Sequence, residues 1–128
     1  MSAGPRPGGF LPGRHGIDAY GNGGFRFGDM SHRGSILMLP SGVHAWAVER
    51  ADAITTASLA AVVAEREAIE LLLVGTGADI VFLPDALRQR LKAAGIGLDA
   101  MQTGAAARTY NILAAENRKV AAALIAVP

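Results

Sequence analysis

Gly75-Thr76-Gly77 is the segment whose residue types and spacing come nearest to a known chemistry. A Gly-x-Gly after an apolar strand can open a dinucleotide site, with pyrophosphate resting on the amides of the next helix. Asp99 stands 24 residues past Gly75, about where a ribose-binding carboxylate falls. Two features oppose this reading. Ile80 holds the place of the third glycine, and the next helix begins near Pro84, too late to abut the turn. A tight loop closing a buried strand accounts for the same residues. The second cluster is Thr109-Tyr110-Asn111, with Arg108 beside it. Tyr, Arg and Asn together could orient a polar ligand. The bland alternative is a Tyr110 ring packed in the core, its hydroxyl aimed at a partner group. Gly75, Thr76, Gly77, Thr103, Tyr110 and Asn111 together mark a candidate cleft, for ligand or partner, at the carboxyl ends of the strands.

Other reactive side chains are scattered. His15, His32 and His44 stand in no metal-ligand register with one another or with a carboxylate. His44 shares a strand face with Trp46 and Val48, as expected of a hydrogen-bonded, partly buried histidine. Asp18, Asp29 and Asp52 are not paired for acid–base work. Ser31, Ser35, Ser41 and Ser58 lack a nucleophile elbow. Arg88, Arg90 and Lys92 form a basic helical face of the kind that water usually covers. No catalytic or metal-binding set emerges.

The elements that must position these residues follow from patterning. Ile69 and Leu71 to Val74 run into the glycines as a strand buried on both faces. Before it, Ile17–Tyr20, Phe25–Phe27, Gly34–Leu39 and Val43–Val48 read as short strands, the first pair joined by the turn Gly21-Asn22-Gly23-Gly24. A helix capped by Thr55 or Thr56 carries Leu59, Val62 and Val63 on one face. A second starts at Pro84, turns Leu83, Leu87, Leu91 and Ala94 inward and Arg88, Gln89, Arg90 and Lys92 outward, and ends at Gly95. Ile96–Met101 is a strand. Thr103 caps a third helix with Ala106, Thr109, Ile112 and Leu113 inward, and Val120–Val127 is the last strand. This order predicts an α/β fold: a mixed, largely parallel central sheet in three layers, after a β-rich first part.

The 128 residues are enough for one domain with a real core. Hydrophobic residues make up 51% and charged residues 18%, as in an ordered chain. A net charge of +1 does not point to nucleic acid, although it is compatible with a local basic patch. The absence of cysteine excludes disulfides and thiolate chemistry. No apolar run approaches the roughly 20 residues that span a bilayer. Residues 1–16 are rich in Gly and Pro, lack the apolar centre of a secretory signal, and read as a mobile tail before a domain of residues 17–128.

Several pieces together carry a resemblance: Ile17-Asp18-x-Tyr20 with Gly24-Phe25; Gly34-Ser35-x-Leu37 with Leu39-Pro40; Val43 and Trp46; Val74 to Gly77; Gly95-Ile96; Thr109 to Asn111 with Leu113; and Ala121 to Ile125. In order and spacing this set resembles the Mth938-like family, which includes mitochondrial NADH dehydrogenase (complex I) assembly factor 3. The resemblance spans residues 17 to about 126. It implies a three-layer α/β fold, no established enzyme activity and no bound cofactor, so no catalytic residue carries over. It implies a non-enzymatic accessory role, binding a protein partner while a membrane respiratory complex is built. The setting it implies is a bacterial cytoplasm, peripheral to the inner membrane. The alternative class is a protein or enzyme that binds a nucleotide-like small molecule in the cleft, and a third reading is self-association through an apolar patch.

Overall fold

The structure, a computed structural model, describes residues 9–128. Its strands are Leu11–Pro12 (β1), Ala19–Gly21 (β2), Gly24–Phe27 (β3), Met30–Arg33 (β4), Ser35–Leu39 (β5), Gly42–Trp46 (β6), Leu71–Gly75 (β7), Gly97–Met101 (β8) and Val120–Leu124 (β9). The helices are Ala60–Ala64 (α1), Asp85–Ala93 (α2) and Thr103–Ala115 (α3). Six strands form one sheet in the order β1-β6-β5-β9-β7-β8, and β2-β3-β4 form a smaller one.

The large sheet is mixed for a topological reason. α2 carries the chain from β7 to β8, and α3 carries it from β8 over to β9 on the other side of β7, so both pairings of β7 are parallel. β5 and β6 are a hairpin, and β5 lies antiparallel to β9. β7 therefore has a neighbour on each edge and, from Leu72 to Gly75, is buried. Its alternate residues feed two cores. Leu72 and Val74 pack with Trp46, Leu59, Leu87 and Leu91 on the side of α1 and α2. Leu73 packs with Phe25, Phe27, Ala106 and Tyr110 on the side of α3 and the small sheet. Helices, sheet, and helix with small sheet make the three layers expected.

Several local expectations are met by specific bonds. Asn22 and Gly23 have φ of 53° and 79°, the left-handed pair that a two-residue hairpin between β2 and β3 requires. Ser58 N donates to Thr55 Oγ1 (3.1 Å) and Thr55 N donates to Ser58 Oγ (2.9 Å), a reciprocal cap. Gly95, at φ 85°, ends α2 while the amides of Gly95 and Ile96 donate to the carbonyls of Lys92 and Leu91.

Others need correction. The segment from Thr55 is a 3₁₀ turn followed by only a short α1, not one continuous helix. Part of the segment read as a tail is a strand: β1 pairs with β6, Phe10 N donates to Val43 O, and the Phe10 ring stacks on His32 at 4.5 Å between centroids. Residues 1–8 of that segment lie outside the described residues. Thr103 is not the cap of α3. Gln102 precedes the helix, and the Thr103 side chain bonds elsewhere. The buried face of α3 is Thr103, Gly104, Ala106, Ala107 and Tyr110, leaving Ile112 60% exposed. Arg88 does not face water alone, because its Nη1 donates to Leu98 O (2.7 Å) on the edge strand β8.

Candidate functional site

The Gly-Thr-Gly turn is closed around itself. Thr76 N donates to Met101 O (2.9 Å) and Gly77 N donates to Thr103 Oγ1 (3.0 Å). Thr103 N in turn donates to Gly77 O (2.9 Å), while Thr103 Oγ1 donates to Ile125 O (2.7 Å). The first two amides after β7 are thus committed inside the protein. α2 begins only at Asp85, so no helix N-terminus abuts the turn to hold a pyrophosphate. Gly75 serves packing: a Cβ there would lie 2.9 Å from Thr103 Cα, Thr103 Oγ1 and Leu124 Cδ2, so glycine lets α3 rest on the strand end. Asp99 is exposed on the edge strand.

Tyr110 and Asn111 stand two turns further along α3, about 10 Å from Thr103. Tyr110 is 1% exposed. Burial raises its pKa above the ordinary 10.0, and the Arg14 guanidinium beside the hydroxyl opposes that rise. Asn111 acts as a strand mimic. Its Oδ1 accepts from Ile17 N and its Nδ2 donates to Ile17 O, both at 2.8 Å, pinning the chain before β2 to α3. The six candidate residues therefore form two structural clusters: Gly75, Thr76, Gly77 and Thr103 at the strand end, Tyr110 and Asn111 on the flank of α3.

What the first cluster supports is the loop above it. Thr76 Oγ1 donates to Asp79 O (2.7 Å) and accepts from Val81 N (3.1 Å), so one buried hydroxyl fixes both limbs of the turn. On it stand Ile80 (50% exposed), Val81 (41%) and Phe82 (82%), followed by the buried anchor Leu83. Among the described residues Phe82 is the most exposed large apolar side chain, an unsupported phenylalanine in water on a pinned loop. Sequence reasoning passed over it. The available signal was the apolar run Ile80 to Leu83, four residues between Asp79 and Pro84 with no alternation of its own.

The remaining polar clusters have structural work. His44 is half-buried, as expected, and its Nε2 lies 2.9 Å from Ser41 Oγ. Ser41 N and Oγ both donate to the Glu65 carboxylate, at 2.9 and 2.6 Å. The Ser41 proton is thus given to Glu65, and His44 is left to donate to Ser41. That polarity is opposite to a histidine that activates a serine. Asp18 accepts from Gly28 N. No three His, Asp or Glu among the described residues converge to hold a metal ion.

Comparison with known proteins gives a family. The model of a protein family of unknown function, DUF498/DUF598, matches residues 17–125. A solved structure of an outer membrane protein from Bartonella henselae is 51% identical, with a TM-score of 0.88, covering 92% of this chain and 99% of that one. A Bordetella pertussis protein described as a Mth938-like domain is 31% identical, with a TM-score of 0.77 over 98% of this chain and 91% of that one. NADH dehydrogenase [ubiquinone] 1 alpha subcomplex assembly factor 3 of Danio rerio is 33% identical over 112 residues, 88% of this chain. The chain spans only 64% of that relative's length. No helix among the described residues is long and apolar enough to cross a membrane.

Proposed function

The chain belongs to the DUF498/DUF598 family, with a Mth938-like fold, and from that premise we propose that it is a non-enzymatic accessory protein that grips a protein partner while a membrane respiratory complex is assembled. The observation that carries the reading is the Ile80-Val81-Phe82 tip, held in one shape by Thr76 with Phe82 82% exposed. An apolar anchor fixed before binding loses little entropy on docking, which is how a small surface reaches useful affinity. The kinship with an assembly factor supplies the class of client. In this reading the working unit is the domain of residues 17–128 together with β1, located in the cytoplasm beside the inner membrane. Gly75, Thr76, Gly77 and Thr103 are the base of the docking loop, and further along α3 Tyr110 fills the core while Asn111 ties the helix to Ile17.

The test is recovery from native membranes with the wild-type chain and with Phe82→Ser, which removes the anchor without touching the core. Respiratory-complex subunits are expected with the first and not with the second. Their absence above control with the wild-type chain, or equal recovery with both, refutes the proposal. Sedimentation of the pure protein separates this from self-association: a dimer abolished by Phe82→Ser would assign the tip to a second copy instead.

A further inference from the structure

We propose that the outer face of the small sheet, with the cleft between β2 and α3 that continues from its edge, binds an acidic, extended polypeptide segment. Three adjoining cavities form it, of about 480, 430 and 220 Å³. The first shares Ala19 and Tyr20 with the second, and the second shares Asn111 with the third. Arg33 and Arg26 line one end, Arg108 the middle and Arg14 the other end. Asp18 is the only carboxylate in the lining, and it already accepts from Gly28 N. Four arginines against one aspartate is a strong local field on a chain of net charge +1. Both ion pairs among the described residues, Arg50–Asp52 and Arg118–Glu116, lie elsewhere, so the exposed Arg26 and Arg33 are in salt bridges with no described carboxylate, although Asp18 N donates to Arg26 O.

The spacing fits an extended chain. Phe25 and Phe27 point into the core, so Gly24 and Arg26 of β3 are on the outer face. Arg33 pairs with Gly24 and Ser31 pairs with Arg26, which makes Arg26 and Arg33 diagonal neighbours. Such diagonals are about 7–8 Å apart. Carboxylates on alternate residues of an extended peptide are about 6.6–6.8 Å apart. Two acidic side chains two residues apart can therefore each meet a guanidinium, while Gly21, with nothing within 4 Å of where a Cβ would stand, leaves room beside them. Nucleic acid fits less well, since Tyr20 is the one exposed aromatic ring in the groove and His32 already stacks on Phe10.

This inference rests on the partner-binding reading only in taking the occupant to be a polypeptide; it concerns a different surface from the loop. The probes are labelled peptides of alternating Glu-Ala and Gln-Ala, followed by fluorescence anisotropy and by amide NMR of the whole chain. The Glu peptide is expected to bind, to weaken with salt, and to move the amides of Ala19, Tyr20, Arg26 and Arg33. Arg26→Gln with Arg33→Gln should weaken it roughly tenfold, about 1.4 kcal/mol for the loss of two exposed ion pairs together. Arg90→Gln on α2 should change nothing. The NMR spectrum shows in the same experiment that each variant is folded. Equal binding of the Gln peptide, an equal effect of Arg90→Gln, or amide shifts away from the groove would overturn the proposal. So would tighter groove binding by anionic phospholipid vesicles or by a single-stranded oligonucleotide. Phe82→Ser should bind the Glu peptide normally, so failure of the loop reading and failure of this one are told apart.

Discussion

Replacing Thr103 by valine keeps the shape of the side chain and removes the hydroxyl that ties three elements together. Thr103 is 0% exposed; its Oγ1 donates to Ile125 O and accepts from Gly77 N. In Thr103→Val both groups lose that partner. Each orphaned buried group costs about 1–3 kcal/mol. Ile125 is buried and carries the full penalty, whereas Gly77 is half-buried and water recovers part of its share. The sum is about 2–4 kcal/mol, a large fraction of the roughly 5–15 kcal/mol that holds a domain together. Thr103→Ser keeps the hydroxyl and loses one methyl, costing about 1 kcal/mol. Urea unfolding followed by Trp46 fluorescence measures both. Trp46 is buried, with Nε1 donating to Ser58 O (2.8 Å), so its emission should report loss of the α1 side of the core. The denaturant slope should be the same for all three proteins. A Thr103→Val protein no less stable than Thr103→Ser would show that the hydroxyl does not hold the strand ends.

Three further outcomes follow from single contacts. Gly75→Ala should cost about 1–3 kcal/mol in the same assay by overpacking against the Thr103 backbone; Gly97→Ala, whose Cβ would meet nothing nearer than Glu70 O at 3.6 Å, should stay within about 0.5 kcal/mol. Asn111→Leu strips Ile17 of both side-chain partners and should cost about 2–4 kcal/mol, with hydrogen exchange at the Ile17 amide accelerated well beyond the change in global stability. Tyr110 has a folded-state pKa above its ordinary 10.0, so below that value it is protonated in both states and its contribution is constant. As pH rises through about 10 the unfolded chain loses its proton first, and stability falls until the folded-state pKa is passed. Urea midpoints taken from about pH 9 to about pH 11 should decline less steeply in Tyr110→Phe than in the wild type. Identical slopes would count against desolvation of this hydroxyl.

The legible parts of this chain were those in which local chemistry and burial agree. β7 shows itself because a strand covered on both faces is apolar at consecutive positions, and Gly95 because a left-handed residue ends α2. β4 did not show itself. Met30–Arg33 is mostly exposed, and its place in the small sheet rests on backbone pairing with β3, which leaves no apolar alternation to read. The face of α3 was misjudged because large apolar residues were given priority. Close approach to β7 and β9 instead selects Gly104, Ala106 and Ala107, with Tyr110 filling the remaining space, so Ile112 is turned to water. Of the candidate site, Thr103 and Asn111 stood out by residue type, but their roles depend on backbone groups of Ile125 and Ile17, far away in sequence. The exposed tip was hidden for the opposite reason: apolar letters in a loop read as an approach to the next core helix.

A phenylalanine tip is not by itself enough to hold a partner. Burying Phe82 together with its two apolar neighbours yields roughly 1.5–3 kcal/mol per fully buried side chain. Association costs about 4–15 kcal/mol in lost translational and rotational freedom. A partner seated on Ile80-Val81-Phe82 must therefore reach further surface, and the charged groove supplies a different kind of contribution. Exposed charges act mainly on the encounter, and desolvated apolar anchors on the lifetime of the complex. If one client engages both surfaces, Phe82→Ser should raise its dissociation rate and leave association nearly unchanged, while Arg26→Gln with Arg33→Gln should slow association and flatten its salt dependence. Surface plasmon resonance on the recovered client resolves the two rates. A client whose association and dissociation both respond only to position 82 would confine recognition to the loop and leave the groove to another ligand.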